Sequence, residues 1–110
     1  MKKLVYLATP YTHEDKAVEE WRFKMVNAKA AELMSQGLII FSPISHTHPI
    51  ALAGDLPVHW EFWETFDKVF LNHSYKLMVL MLDGWKQSRG VAAEIEMATK
   101  LGLEIEYINP

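Results

Sequence analysis

The sequence predicts an α/β protein built on a parallel sheet, and two observations support this prediction. Short apolar runs alternate with longer segments of helical periodicity along the chain, a pattern typical of β–α–β units. The length of 110 residues suits one domain, since domains usually contain roughly 100 to 200 residues. We therefore expect a single domain over residues 1–110, with helices on both faces of the sheet.

Four segments are predicted to be strands. The runs 3–8 and 75–82 are almost continuously apolar, as in strands covered on both faces. The run 38–41 is short and the run 103–107 alternates between apolar and acidic residues, which favours edge positions. The predicted strand order is 2-1-3-4, a flavodoxin-like or Rossmann-like arrangement.

Three segments are predicted to be helices. They cover 14–36, with Gly37 as a C-terminal stop, then 59–73 and 88–102. The polar, proline-containing stretch 42–57 is expected to be a long loop, and loops of this length are often functional.

A glutamate falls on the buried face of the last helix. On a wheel at about 100° per residue, Glu94 shares the arc of Val91 and Ala98, which should pack on the sheet. A carboxylate facing a core is costly unless it is paired or exposed to a cavity. Gly90 lies one turn earlier and leaves space beside it, so we expect Glu94 to face a cavity.

An aspartate repeats the anomaly in the second helix. Asp67 falls among Trp60, Trp63 and Phe66 on the wheel. Apolar surroundings raise the pKa of a carboxyl group, which suits a proton donor, whereas a carboxylate nucleophile must be kept ionised by nearby donors. The alternative interpretation is that Asp67 and Glu94 are each paired with a Lys, Arg or Tyr.

Several polar residues are expected at the carboxyl ends of strands one and three, where parallel sheets bind ligands. His46 and His48 have a spacing that suits a metal, but no third ligand is evident, so we expect neither metal nor cofactor. From the residues alone, Tyr6 is expected to be a core tyrosine. The candidate ligand contacts in the converging segments are Thr9, Tyr11, Ser42, His46 and His48.

The start of the last helix is a candidate anion site. Ser88 suits the N-cap, and Arg89 and Gly90 then form a first turn whose N–H groups and dipole attract anions. The alternative is an ordinary capped helix with a surface arginine. The segment has neither a P-loop lysine nor a three-glycine fingerprint, which disfavours nucleoside triphosphates and NAD.

Composition limits the partners. The net charge is −3 and there is no cysteine, so a nucleic acid polymer is an unfavourable partner and thiolate chemistry is excluded. The N-terminal apolar run breaks at Thr9-Pro10, too soon for a signal peptide or a membrane span. We expect a cytoplasmic protein that does not bind membranes.

The residues resemble those of the nucleoside 2-deoxyribosyltransferase superfamily, which includes 2'-deoxynucleoside 5'-monophosphate N-glycosidases. The resemblance rests on Tyr6-Leu7-Ala8, on Asp67, on Asp83-Gly84 and above all on Ser88-Arg89-Gly90-Val91-Ala92-Ala93-Glu94. It covers nearly the whole chain.

The resemblance implies a retaining glycosidase mechanism, in which Glu94 attacks C1' of a deoxyribosyl group. It further implies that Asp67 assists base departure, that Tyr6 positions the nucleophile and that Ser88 holds a 5'-phosphate. Asp83, next to Gly84, would lie near the base or sugar hydroxyls, and Arg89, next to Gly90, would be a second phosphate contact.

Two other functions remain open, a nucleotide-sensing module without turnover and a scaffold whose last helix is purely structural. Family members often complete the pocket with a C-terminal segment of a neighbouring subunit, so we expect the stretch 42–57 or a partner's aromatic helix to do so here. The aromatic surplus of Trp60, Phe62, Trp63 and Phe66 predicts a homodimer or larger assembly through this helix.

Overall fold

The predicted sheet is confirmed by the structure, a computed structural model that describes residues 3–110. Met1 and Lys2, part of the N-terminal segment considered above, lie outside the described residues. The strands are β1 (Leu4–Ala8), β2 (Ile39–Phe41), β3 (Lys76–Leu80) and β4 (Glu104–Ile108). All pairings are parallel and the order is β2-β1-β3-β4, so β1 and β3 are central.

The helices of residues 3–110 are α1 (Lys16–Ser35), α2 (Pro43–Gly54), α3 (Trp60–Asn72) and α4 (Arg89–Leu101), with a 3₁₀ turn at Trp85–Gln87. The predicted boundaries of α1, α3 and α4 agree with the structure to within two residues. Among these helices, none is both long and apolar enough to cross a lipid bilayer.

The two faces of the sheet carry different helices. Val5 and Leu7 of β1 pack with Val26 and Leu33 of α1 on one face. On the other face, Tyr6 packs in one core cluster with Leu71 of α3 and with Val91 and Ala98 of α4. Successive residues of a strand point to opposite faces, so Tyr6 points towards α3 and α4.

The prediction of a loop at 42–57 is wrong, because most of this segment forms α2. Pro43 occupies the first turn, where proline lacks no needed hydrogen bond and its fixed φ suits a helix. Pro49 lies inside the helix, and tertiary packing of the buried Thr47, His48 and Ala51 outweighs its low helix propensity.

Part of α1 is covered by α2. Glu20 contacts His48, and Asn27 accepts a hydrogen bond from Ser45. With α2 taken for a loop, its second contact surface on α1 could not be foreseen.

Candidate active site

A cavity of about 330 Å³ opens at the carboxyl end of β1, between α2, α3 and the start of α4. This volume lies at the lower end of the range typical of small-molecule sites. The lining residues come from four segments: Thr9, Tyr11 and Thr12; Pro43, Ile44 and Thr47; Val58, His59, Trp60, Glu61, Trp63 and Asp67; and Gln87, Ser88, Arg89, Gly90 and Glu94.

Glu94 lies on the buried face of α4 and lines the cavity, with only 4% of its surface exposed. The fully buried Tyr6 donates a hydrogen bond from its hydroxyl to Glu94 Oε2. Both interpretations of Glu94 are therefore partly met, since it has a tyrosine partner and also faces a cavity.

Asp67 approaches the same hydroxyl from α3. It is 5% exposed and lines the cavity, and its contact with the Tyr6 hydroxyl opposes the rise in its pKa that burial causes. Its Oδ1 atom has no hydrogen-bond partner within residues 3–110. An unpartnered buried oxygen costs free energy, and a ligand donor in the cavity would remove that cost.

Burial controls the protonation of the two acids. Desolvation raises the pKa of Glu94 to about 8, the Tyr6 hydrogen bond opposes the rise and the charge of Asp67 adds to it. Desolvation also raises the pKa of Asp67 to about 7. Burial, together with the charges of Glu94 and Asp67, raises the pKa of Tyr6, so the phenol stays neutral. Near neutral pH the two carboxyl groups therefore retain a proton between them.

The predicted N-cap of α4 is present. The Ser88 hydroxyl accepts a hydrogen bond from the Val91 amide at 3.2 Å, and the remaining N–H groups of the first turn lack intrahelical partners. The Arg89 guanidinium forms an ion pair with Glu61 of α3, and both residues line the cavity. A ligand anion at this helix terminus would therefore compete with Glu61 for Arg89.

Two tryptophans that are expected at a dimer contact form a wall of the cavity. Trp60 and Trp63 line the cavity together with Asp67, and Trp63 Nε1 donates to the Pro57 carbonyl at 2.9 Å. A Cβ built on Gly90 would lie 3.4 Å from Trp60, so the missing side chain lets this ring pack closely. The sequence contained a signal for this position in the cavity wall, since both rings share the helix face of Asp67.

A second polar chain begins at the cavity wall opposite α4. The Tyr11 hydroxyl is hydrogen-bonded to His48 Nδ1, and His48 Nε2 lies 2.8 Å from Glu20 Oε2. Burial raises the pKa of Tyr11, with further contributions from the charges of Glu19 and Glu20. Tyr11 lines the cavity, but His48 stands behind it and does not.

Four other predicted contacts do not line the cavity. The Ser42 hydroxyl is hydrogen-bonded to Ser45, 2.7 Å away, and the His46 ring stacks on Phe66 with centroids 5.7 Å apart. Asp83 is exposed. Gly84 has φ +90°, and a Cβ there would lie 2.6 Å from Arg22 Nη2.

His46 and His48 have different partners and face no common point. Within the described residues, no group of three or more His, Asp or Glu side chains is placed to hold a metal ion. Thr12, Thr47, Val58, His59, Glu61 and Gln87 also line the cavity. The sequence contained no signal for them, because their approach depends on how the loops and α2 fold back.

The fold and the site first define a class, that of α/β proteins with a parallel sheet and a candidate active site at the carboxyl end of its central strands. The family is more particular. The family described as Domain of unknown function (DUF1937) matches residues 3–108, and the chain therefore belongs to it. The chain matches none of the curated proteins with which it was compared.

Proposed function

We propose that the protein cleaves or transfers the N-glycosidic bond of a 2'-deoxynucleoside or its 5'-monophosphate through a covalent glycosyl–Glu94 intermediate. The observation that carries this proposal is the arrangement of Glu94 at the cavity wall, with the Tyr6 hydroxyl donating to it and Asp67 beside the same hydroxyl. We also propose that it acts in the cytoplasm.

Two carboxyl groups of unequal role are what a retaining glycosidase needs. In the first step an oxygen of ionised Glu94 bonds to C1', the C1'–N bond breaks, and its electron pair leaves with the base. The carboxyl group of Asp67 supplies a proton to the departing base. In the second step, water attacks C1' and returns a proton to Asp67, and the ester bond to Glu94 breaks. A second base in place of water would give transfer.

Tyr6 is suited to prepare the nucleophile. Its hydrogen bond opposes the rise in the Glu94 pKa, because a donor stabilises the ionised form. The hydroxyl also holds one carboxylate oxygen, which limits Glu94 to a narrow range of orientations.

The rest of the cavity suits the two ends of a nucleotide. The rings of Trp60 and Trp63 offer apolar surface for stacking on a base, an interaction that tolerates any base. The first turn of α4, with Ser88 as its N-cap, offers N–H groups and a favourable dipole for a phosphate.

A sensing module without turnover is the second candidate. The raised pKa of Glu94, about 8, favours it, because a protonated carboxyl group can bind a ligand but cannot attack C1'. In an enzyme, the bound substrate has to shift the shared proton from Glu94 to Asp67.

The test is an assay for free base with the four common 2'-deoxynucleosides and their 5'-monophosphates. We expect base release by the natural protein and its loss by at least about 10³-fold in Glu94→Gln, which keeps an acceptor for Tyr6. Glu96→Gln is the matched control, because Glu96 is exposed on the opposite side of α4 and pairs with Lys100.

Thermal unfolding with the same nucleotides separates the two candidates. Stabilisation without base release would support the sensor. Equal base release by Glu94→Gln and the natural protein would overturn the proposed mechanism.

A further inference from the structure

The hydrogen-bonded chain Tyr11–His48–Glu20 has no part in the proposed bond cleavage. It runs from the cavity wall to the surface, since Tyr11 and His48 are 7% and 4% exposed and the Glu20 side chain is 45% exposed. Such a chain connects the hydroxyl of a residue that lines the cavity to a charged group that does not line it.

The carboxylate, together with a neutral imidazole, determines the direction of both bonds in the chain. An ionised carboxylate can only accept hydrogen bonds, so His48 Nε2 carries the hydrogen that Glu20 accepts. In a neutral imidazole the other nitrogen is then an acceptor. The Tyr11 hydroxyl therefore donates to His48 Nδ1, and only its lone pairs remain for a partner in the cavity.

Packing holds the imidazole in this position. The His48 ring packs against Phe23, with centroids 4.3 Å apart, and meets Tyr11 in a T-shaped contact, with centroids 5.4 Å apart. His48 belongs to α2 and Glu20 to α1, so the contact between two helices sets the tautomer.

A second hydroxyl group, which has no partner within the described residues, belongs to the residue Thr9 of the same wall. The Thr9 hydroxyl, in a residue that is 6% exposed, has no hydrogen-bond partner within residues 3–110, and both Thr9 and Tyr11 line the cavity. Buried hydroxyl groups are usually hydrogen-bonded, so the free Thr9 hydroxyl independently indicates a polar ligand here.

We infer that Thr9 and Tyr11 form a subsite for a hydroxyl group of the ligand, with Tyr11 as an obligate acceptor and with His48 and Glu20 as positioning residues. This assignment of the ligand rests on the proposed function. The ligand group is then the 3'-hydroxyl, because it is the sole sugar hydroxyl of a 2'-deoxynucleoside 5'-monophosphate. The subsite would discriminate against sugars that lack this donor.

The tautomer can be tested without any ligand by ¹⁵N NMR of the histidine rings at pH 8, with His48 assigned from the His48→Gln spectrum. We expect His48 to be protonated at Nε2 and unprotonated at Nδ1. Glu20→Gln should broaden or shift this pattern, since an amide can either donate or accept. Glu32→Gln, on the same helix and paired with Lys29, should leave it unchanged. Protonation of Nδ1, alone or together with Nε2, would overturn the inference.

The ligand is tested by calorimetry in the Glu94→Gln background, with 2'-deoxynucleoside 5'-monophosphates and their 2',3'-dideoxy counterparts. We expect loss of the 3'-hydroxyl to weaken binding about tenfold, as for one hydrogen bond to a buried neutral group. Tyr11→Phe should abolish that difference, and Tyr75→Phe, at an exposed tyrosine, should keep it.

The outcomes separate the two proposals. Equal binding of both nucleotides, or a difference that survives in Tyr11→Phe, would overturn the subsite while leaving the proposed function intact. If no nucleotide binds, the proposed function and the sugar assignment fail together, and the NMR result still decides the chain itself.

Discussion

Tyr6 shows how one side chain of the core can determine the chemistry of a cavity. Its ring is fully buried within the core on the α3 and α4 face of the sheet, yet its hydroxyl reaches the carboxyl group of Glu94. The core position expected for Tyr6 is therefore confirmed, and the positioning of a nucleophile that the resemblance implies stays a prediction.

Replacing Tyr6 with phenylalanine tests this role. The hydrogen bond lowers the pKa of Glu94, so Tyr6→Phe should raise that pKa further and move the acidic limb of the kcat/KM profile to higher pH. We expect kcat to fall on the order of 10²-fold, by analogy with the loss of one positioned donor. The measurement is the pH dependence of base release.

Tyr107→Phe is the control for this substitution, because Tyr107 lies on β4 and is exposed. An unchanged pH profile in Tyr6→Phe would show that the hydroxyl does not act on the nucleophile.

At the scale of elements, α1 ties together the two loops that border the switch point. The buried Arg22 donates from Nη1 to the carbonyl groups of Tyr11 and Thr12 and from Nη2 to the carbonyl of Asp83, each at 3.2 Å. The link holds the loop after β1 against the loop after β3. Asp83 contributes its backbone carbonyl to this link, and Gly84 leaves the space that Arg22 Nη2 occupies.

Gly84→Ala tests the link. The residue has φ +90°, and a Cβ would lie 2.6 Å from Arg22 Nη2, so backbone strain and a steric clash add. We expect the free energy of unfolding to fall by about 2 kcal/mol or more, measured by urea denaturation.

Gly102→Ala provides the comparison, since Gly102 has φ +73° and nothing lies within 4 Å of the added Cβ. It should lose only about 1 kcal/mol from strain. Equal losses in both variants would contradict a specific role for the Arg22 contact.

At the scale of the whole molecule, the buried acids couple stability to pH. The folded state raises the pKa of Glu94 from 4.5 to about 8 and that of Asp67 from 3.8 to about 7. Between these limits the folded state binds more protons than the unfolded state, so stability falls as pH rises. The domain should be more stable near pH 5 than near pH 8.

Glu94→Gln should remove much of this dependence. Because one pKa unit corresponds to about 1.4 kcal/mol, we expect the variant to be more stable than the natural protein at pH 8 and close to it at pH 4.5. The readout is Tm as a function of pH, and a gain of several degrees at pH 8 is expected. Glu96→Gln should show no gain that grows with pH, and a uniform gain in Glu94→Gln would contradict the assignment.

The homodimer stays a prediction, but the surface of α3 that we expect at its interface is different. Trp60 and Trp63 line the cavity, whereas Phe62 is 45% and Val69 is 54% exposed. We expect a dimer by light scattering and a shift towards monomer in Phe62→Asp. A monomeric natural protein would contradict the prediction.

Much of the fold could be predicted from local pattern. The apolar runs of β1 and β3, the Ser88 cap and the face of Glu94 follow from period and capping, which act over a few residues. The helix α2 could not be predicted in this way, because Pro49 lowers the helix propensity of the segment and only burial against α1 and β1 compensates for this loss. The anomaly of Asp67 was visible, but the role of its tryptophan neighbours was not.

The chain's pattern of apolar and polar residues was enough to establish the strand order and to mark Glu94 and Asp67 as misplaced for an ordinary core. It could not reveal that Tyr6 joins these acids, that Arg89 pairs with Glu61 or that Tyr11 is linked through His48 to Glu20. The two residues of each of these contacts are 28 or more positions apart in the sequence. Contacts between distant residues form only when packing of the helices on the sheet offsets the entropy of closing long loops, so they belong to the tertiary structure.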